Sequence, residues 1–278
     1  MSAARTRVFS DLHFRDPRGL LHELEGFAPL LGEAERVVLN GDSLDTLVPS
    51  LACHAPELRD FAARSARDFI WLSGNHDPDI SDEAELALAD ERVWVTHGDV
   101  FFHAIAPWSH QAAALRRRLA EESVGLPADE AARIETRLRL HREVVRTLPE
   151  PPHFYRPGPF VRLHRLAHAL FPPGRLLTIL HTWSVTPRVV AALARAQRPR
   201  AQVVLLGHTH FPGVWRVPGP RGAAPITVVN TGSFTRPLGG LFAELAGEEL
   251  QVRRIRREGN AFREGALAAS IRLEKAPA

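Results

Sequence analysis

Cysteine is almost absent. Cys53 is the only one among 278 residues, which excludes an intramolecular disulfide and a thiolate metal cluster and fits a reducing, cytoplasmic setting. It reads as a small packing residue. Lysine also occurs once, at Lys275, a bias that mainly reflects composition and leaves arginine to carry the positive charge. No apolar run approaches the roughly 18 residues of a spanning helix. The N-terminus passes directly into Val8-Phe9 without the apolar stretch of about 7–15 residues that a secretory leader needs, so none is expected. No fixed-period repeat is visible. What remains is an ordinary globular composition, 45% hydrophobic and 24% charged, long enough for one large domain or two modest ones.

The formal net charge of +3 is unevenly spread. Residues 103–175 hold twelve arginines against seven acids. A solvated helical surface explains such a surplus, and so does a face for an anionic substrate or a membrane. The segment lacks the interleaved aromatics of a nucleic-acid surface, so nucleic acid is not the expected partner.

Short β-branched runs at Val8-Phe9, Val37–Leu39, Phe69–Leu72 and Val93–Val95 read as buried strands. Residues 20–31, 55–66 and 82–89 between them read as helices, an order suggesting βαβ units that feed one sheet. Further strands are expected at Val203–Leu206, Val214–Val217, Ile226–Val229, Leu241–Leu245 and Leu250–Ile255. The turns between them are rich in Gly and Pro, so this part looks antiparallel. The middle is mainly helical: Ile134, Leu138, Val145 and Leu148 recur at helical spacing, as do Leu163, Leu166 and Leu170. Pro-rich breaks at 149–159 and 172–174 divide it. The pattern predicts a catalytic domain over 1–102 and 176–278, a helical cap inserted at 103–175, and a crossover helix over 187–198.

Five polar clusters follow predicted strands: Ser10-Asp11-Leu12-His13, Gly41-Asp42-Ser43-Leu44-Asp45, Gly74-Asn75-His76-Asp77, His97-Gly98-Asp99 and Gly207-His208-Thr209-His210. Ligands of open α/β sheets bind beyond the carboxyl ends of the strands, so all five should meet on one face. They offer carboxylate, amide and imidazole donors without thiolate, a set suited to Mn²⁺, Fe, Zn²⁺ or Co²⁺ rather than calcium. Asp11-x-His13 and His208-x-His210 place alternate side chains on one side of extended backbone. Glycines beside Asp42, Asn75, His97 and His208 permit tight turns at a crowded centre.

In this order the clusters resemble the calcineurin-like metallophosphoesterases, whose series is D-x-H, G-D-x-x-D, G-N-H-[DE], a strand-end H-G and G-H-x-H. The resemblance covers about residues 5–100 and 200–255 and leaves the cap outside. It implies an α/β (α+β) fold, a four-layer β-sandwich flanked by helices. It also implies two divalent metal ions, Mn²⁺ foremost, one held by Asp11, His13, Asp42 and His210, the other by Asp42, Asn75, His97 and His208. His103 and His181 compete with His97, but only His97 both follows a strand and precedes glycine. Val229–Ser233 resembles the family's C-terminal strand turn.

Hydrolysis of a phosphomonoester or phosphodiester would follow. Two metals about 3.5–4 Å apart clamp the phosphoryl oxygens and acidify a bridging water to hydroxide. His76 is the candidate general acid or transition-state stabiliser, with Asp45 hydrogen-bonded to it and raising its pKa. The other histidines, among them His110, His141, His164 and His168, read as surface or cap residues. One branch, the UDP-2,3-diacylglucosamine hydrolases, shares Ser-Asp-Leu-His, His-Gly-Asp and a helical lid. It commonly has Arg in place of His76 and no acid at Asp45. The partner is therefore a phosphorylated small molecule or a lipid-linked substrate, with peripheral contact to the inner face of a membrane through the basic cap as a corollary. Some members keep the fold as a non-catalytic scaffold, but no ligand is lost here.

Overall fold

Val8 and Phe9 are adjacent in β1 (Arg5–Phe9) and both fully buried, yet they belong to different cores. Successive strand side chains point to opposite faces, so a sheet covered on both sides shows continuous apolar runs that sort alternately. The same sorting recurs in β2 (Arg36–Asn40), where Val38 points one way and Val37 and Leu39 the other. The computed structural model describes residues 4–109, 111–147, 173–220 and 222–275. The expected breaks and helical spacing over 148–172, with His110, His164 and His168, lie outside the described residues.

Beyond these two strands come β3 (Asp68–Leu72), β4 (Glu85–Leu88), β5 (Val93–Thr96), β6 (Val203–Leu206), β7 (Gly213–Val217) and β8 (Ile226–Asn230). The last three are β9 (Leu241–Ala246), β10 (Glu249–Glu258) and β11 (Ala261–Arg272). They form a six-stranded sheet in the order β11-β10-β9-β1-β2-β3 and a five-stranded sheet in the order β4-β5-β6-β8-β7. Val8, Val38, Val93, Val95, Val203, Leu205 and Val229 interlock between the sheets. Phe9, Val37 and Leu39 pack outward against Leu24, Phe27 and Leu58. Trp94, Val204, Leu206 and Val228 pack outward against Val190, Ala191 and Ala194. The result is the expected sandwich of two sheets with an outer layer on each side.

Several elements differ from their sequence pattern. Residues 20–31 form two short 3₁₀ turns, Leu24–Gly26 and Ala28–Leu31. Pro29 removes a helical N–H, and a side chain at Gly26 would meet the Asn260 carbonyl. Residues 82–89 hold β4 rather than a helix, because Leu86 and Leu88 alternate into the core between the sheets while Glu85 accepts a bond from Trp94 Nε1 at 2.7 Å. The strand at 93–96 joins the second sheet, where β6 runs parallel to both β5 and β8, so the C-terminal part is mixed rather than antiparallel. Cys53 is exposed, its Sγ 3.4 Å from the Ser50 carbonyl, rather than a buried packing residue.

The described helices are α1 (Pro49–Ala52), α2 (Ala55–Arg64), α3 (Ala112–Glu122), α4 (Ala128–Ala132), α5 (Ile134–Thr147) and α6 (Pro173–Gln197). Ile105, Leu115, Leu119, Leu140, Val144 and Val145 make a small separate core for the middle segment. Residues 174–197 of α6 are long and apolar enough to span a membrane, with mean hydropathy 1.3, contrary to the expectation that no such stretch exists. Its second half lies on the five-stranded sheet through Val190, Ala191 and Ala194, while Leu176, Leu177 and Leu180 are exposed. Leu205→Ala should therefore destabilise the protein by about 2–5 kcal/mol, whereas Leu177→Ala should stay within about 0.5 kcal/mol. Urea denaturation of both variants checks the contrast.

Candidate metal centre

Each polar cluster begins within three residues of a strand end: Asp11 after β1, Asp42 after β2, Asn75 after β3, His97 after β5 and His208 after β6. Adjacent strands of each sheet therefore deliver these loops side by side at one end of the sandwich. Asp11, His13, Asp42 and His210 bring their donor atoms within 4.8 Å of one another, and so do Asp42, His97 and His208. Asp42 is common to both groups. Asn75 Oδ1 lies 3.2 Å from His97 Nε2, placing the amide beside the second group. His103 and His181 are exposed and stand apart from both.

The backbone bends sharply to achieve this. Asp11, His13, Asp42, His208 and His210 all have left-handed conformations, with φ between 46° and 63°. Asp and His are among the residues that tolerate this region best, but such strain still costs about 1–3 kcal/mol per site and is retained where surrounding contacts enforce it. Those contacts are visible. The buried Asp77 carboxylate accepts backbone N–H bonds from Asp42, Ser43 and Gly74 at 2.7–2.9 Å, tying the β2 loop to the β3 loop. Asp11 Oδ2 accepts from Ser10 Oγ at 2.6 Å and from the His208 N–H at 3.0 Å. Asn230 Nδ2 donates to Gly207 O and Thr209 Oγ1 at 2.7 and 2.8 Å. A side chain at Gly207 would collide with Asp11 and Ser10, so only glycine allows that approach.

The imidazoles are oriented as metal ligands require. His97 Nδ1 faces the Asn40 carbonyl at 3.0 Å, which turns Nε2 to Asp42 Oδ2 at 3.1 Å. His208 Nε2 faces the Ile105 carbonyl at 2.9 Å, leaving Nδ1 for the centre. His210 Nδ1 meets Thr235 Oγ1 at 3.2 Å and its Nε2 lies 3.0 Å from Asp11 Oδ1. His13 Nε2 and His210 Nε2 point at each other across 3.1 Å. Both nitrogens, beside the Asp11 carboxylate, are placed to ligate one cation, so the residues fit a pair of divalent metals.

Charge in the metal-free protein tells the same story. Burial raises the Asp42 carboxyl, but His97 and then His76 pull it well below the usual range. Burial opposes charge on His97, yet Asp42 and Asp11 push it up to about 10. Burial and then His97 push His208 down to about 4, and burial with His210 and His76 lowers His13. At neutral pH, His97 thus carries a proton that compensates the buried carboxylates. Its folded pKa exceeds the ordinary imidazole value of about 6.5, so this stabilisation is whole below about pH 6.5 and is lost as pH rises through about 10.

A family model for calcineurin-like phosphoesterases matches residues 4–212. The chain belongs to the calcineurin-like phosphoesterases. With the metal-capable cluster in place, this phosphoesterase is metal-dependent. Among solved structures it is similar to a dimetal phosphatase from Danio rerio, at 11% identity and TM-score 0.47, over 99% of this chain and 100% of that one. A vacuolar protein sorting 29 protein from Chaetomium thermophilum shows 14% identity and TM-score 0.45, over 99% and 100% of the two chains. A zinc complex of the Entamoeba histolytica counterpart shows 11% and 0.44, over 96% and 98%. No curated protein matches the chain.

Some supporting residues of this phosphoesterase escaped the sequence pattern. Asp77 and Asp99 sat inside the motifs without a role. His141, expected as a surface or cap residue, is buried on α5, 3.6 Å from Asp99 just beyond His97. Arg142, also on α5, donates to the carbonyls of Pro78, Ser81 and Asp82 at 2.7–2.9 Å and to Asp82 Oδ1 at 2.7 Å. Arg146 pairs with Asp79. α5 therefore braces the loop that carries Asn75 and His76, and only long-range packing shows it.

Two outcomes are expected. Adding Mn²⁺ to chelator-stripped protein at pH 7.5 should release a proton from His97, read by calorimetry in buffers of different ionisation heat; zero release contradicts the assignment. Arg142→Ala should lower kcat by more than about tenfold with little change in KM, because small displacements of reacting groups are costly. Arg142→Lys should recover part of it in steady-state kinetics, whereas a purely structural role predicts loss of fold instead.

Proposed function

We propose that this protein hydrolyses a phosphomonoester or phosphodiester with two divalent ions, Mn²⁺ foremost, held by Asp11, His13, Asp42 and His210 and by Asp42, Asn75, His97 and His208. The observation that carries the reading is the shared, buried Asp42 at the floor of a cleft of about 990 Å³, with His76 also lining that cleft. Such ions would supply Lewis-acid polarisation of a phosphoryl oxygen and a water acidified into the neutral range.

The chain's own residues do the rest. His76 Nδ1 is 2.9 Å from Asp45 Oδ2, and Asp45 is fully buried. With Nδ1–H donating to Asp45, the ring keeps one orientation and Nε2 is left to carry a proton to the leaving oxygen. The His76 N–H donates to Asp42 Oδ1 at 2.8 Å, so the acid and the shared ligand move as one unit. A lipid-linked pyrophosphate of the UDP-diacylglucosamine kind is the second reading, favoured by the apolar side of the cleft, where Leu115, Val145 and Ile179 line it. A cytoplasmic site of action, with peripheral contact to the membrane in the lipid case, accompanies these readings.

Protein loaded with Mn²⁺ should hydrolyse bis-p-nitrophenyl phosphate or p-nitrophenyl phosphate, and Asp42→Ala should abolish this. Absence of turnover with every transition metal tested sinks the proposal in favour of a scaffold role. His76→Asn should lower kcat about 10²–10⁴-fold for alkyl phosphates, which need a protonated leaving group, and less for p-nitrophenyl esters. Equal losses on both would remove His76 from the role of acid.

A further inference from the structure

Arginine carries nearly all of the positive charge of this protein. Away from the cleft most side chains are neutralised by a neighbour, as in the pairs Arg36–Asp68, Arg139–Glu143 and Arg198–Glu85. In the cleft above the metal centre four arginines gather from separate parts of the chain: Arg18, Arg175, Arg236 and Arg257. Among the described residues, the carboxylates lining the same cleft are Asp16 and Asp42. Asp42 belongs to the metal centre. Asp16, 1% exposed, is committed to Arg18, accepting from its Nε at 2.9 Å, its Nη2 at 2.6 Å and its backbone N–H at 2.6 Å.

That arrangement makes Arg18 a fixed guanidinium rather than a roaming surface charge, since a buried carboxylate holds both its backbone and its head. Arg18 lines the same cleft as His13 of the metal centre. Arg236 and Arg257 are exposed and have no ion-pair partner among the described residues. Arg236 follows Thr235, whose hydroxyl meets His210, and so stands next to the first metal group. Arg257 enters from β10, whose pairing with β11 carries it beyond the sheet. Arg236 and Arg257 thus face a concave site that holds few compensating acids among its described residues, which creates a field for anions. Guanidinium groups bind phosphate oxygens in a planar, two-pronged way.

The reacting phosphate is accounted for by the metal centre. We infer that the arginines form a separate subsite for a second phosphate, so that the substrate is a small phosphoester bearing another phosphoryl group. This rests on the phosphoesterase reading above and gives it a substrate class. A cleft of about 990 Å³ has the size of a small-molecule pocket, and Trp108 and Trp183 on its wall suit an organic body between the two phosphates.

Matched compounds test this: glucose 1-phosphate against glucose 1,6-bisphosphate, and adenosine 5′-monophosphate against adenosine 3′,5′-bisphosphate, all with excess Mn²⁺. The bisphosphate of at least one pair should be preferred about tenfold or more in kcat/KM, mainly through KM. The preference should shrink as salt is raised. Which pair shows it separates a sugar from a nucleotide source. Arg236→Gln with Arg257→Gln, both on the surface and expected to fold, should reduce that preference to near unity, and Arg18→Gln alone should reduce it in part. Equal use of the members of both pairs, a preference unmoved in the double variant, or turnover confined to oligonucleotides overturns the inference. Thermal shift with the same pairs reads binding without turnover. A larger shift for the bisphosphate, lost in the double variant of a protein that hydrolyses nothing, would keep the subsite and remove the phosphoesterase reading.

Discussion

A carboxylate shared between two groups of ligands has to be buried, held still and neutralised, and Asp42 meets all three demands. It is 1% exposed, its backbone N–H is fixed by Asp77, and His97 carries the compensating proton in the metal-free protein. Burial of a lone charge would be prohibitive, so its neighbours are not optional. The loop ends of β1, β2, β3, β5 and β6 are arranged around that requirement. Both sheets must end at the same edge of the sandwich for His97 and His208 from one to reach Asp42 from the other. Asn40 marks the join, donating from Nδ2 to the Thr96 carbonyl at 3.0 Å while its own carbonyl orients His97.

Much of this is legible in the sequence, for a physical reason. Strands buried on both faces are short uninterrupted apolar runs, and the residue after such a run is fixed at the sheet's edge. Ser10-Asp11, Gly41-Asp42 and Gly207-His208 announce themselves in this way, and so does the hydrogen bond expected between Asp45 and His76, present at 2.9 Å. The left-handed φ values of Asp11, His13 and His210 are not legible, because nothing in a residue's identity states that its surroundings will force it there. Nor is the bond from Arg142 to the carbonyl of Pro78, 64 residues away, nor the strand over Glu85–Leu88, whose local composition favours a helix and whose pairing with β5 overrides it.

The middle helical segment acquires two faces from this view. α5 braces the loop of Asn75 and His76 through Arg142 and Arg146, while Leu115, Val145 and Ile179 form part of the cleft wall. An element that both supports the centre and shapes the cavity couples substrate choice to chemistry. Its removal would disturb both at once. Of the arginines in the cleft, Arg18 and Arg236 come from loops, Arg257 from the β10–β11 hairpin and Arg175 from α6, the helix that also supplies Ile179.

The central claim is that one carboxylate joins two metals. Electron paramagnetic resonance of the protein loaded with two equivalents of Mn²⁺ tests it directly. Ions joined through Asp42 should give an exchange-coupled spectrum at low temperature. Two ions that give only the spectrum of isolated Mn²⁺ would contradict a shared ligand and, with it, this account of the centre.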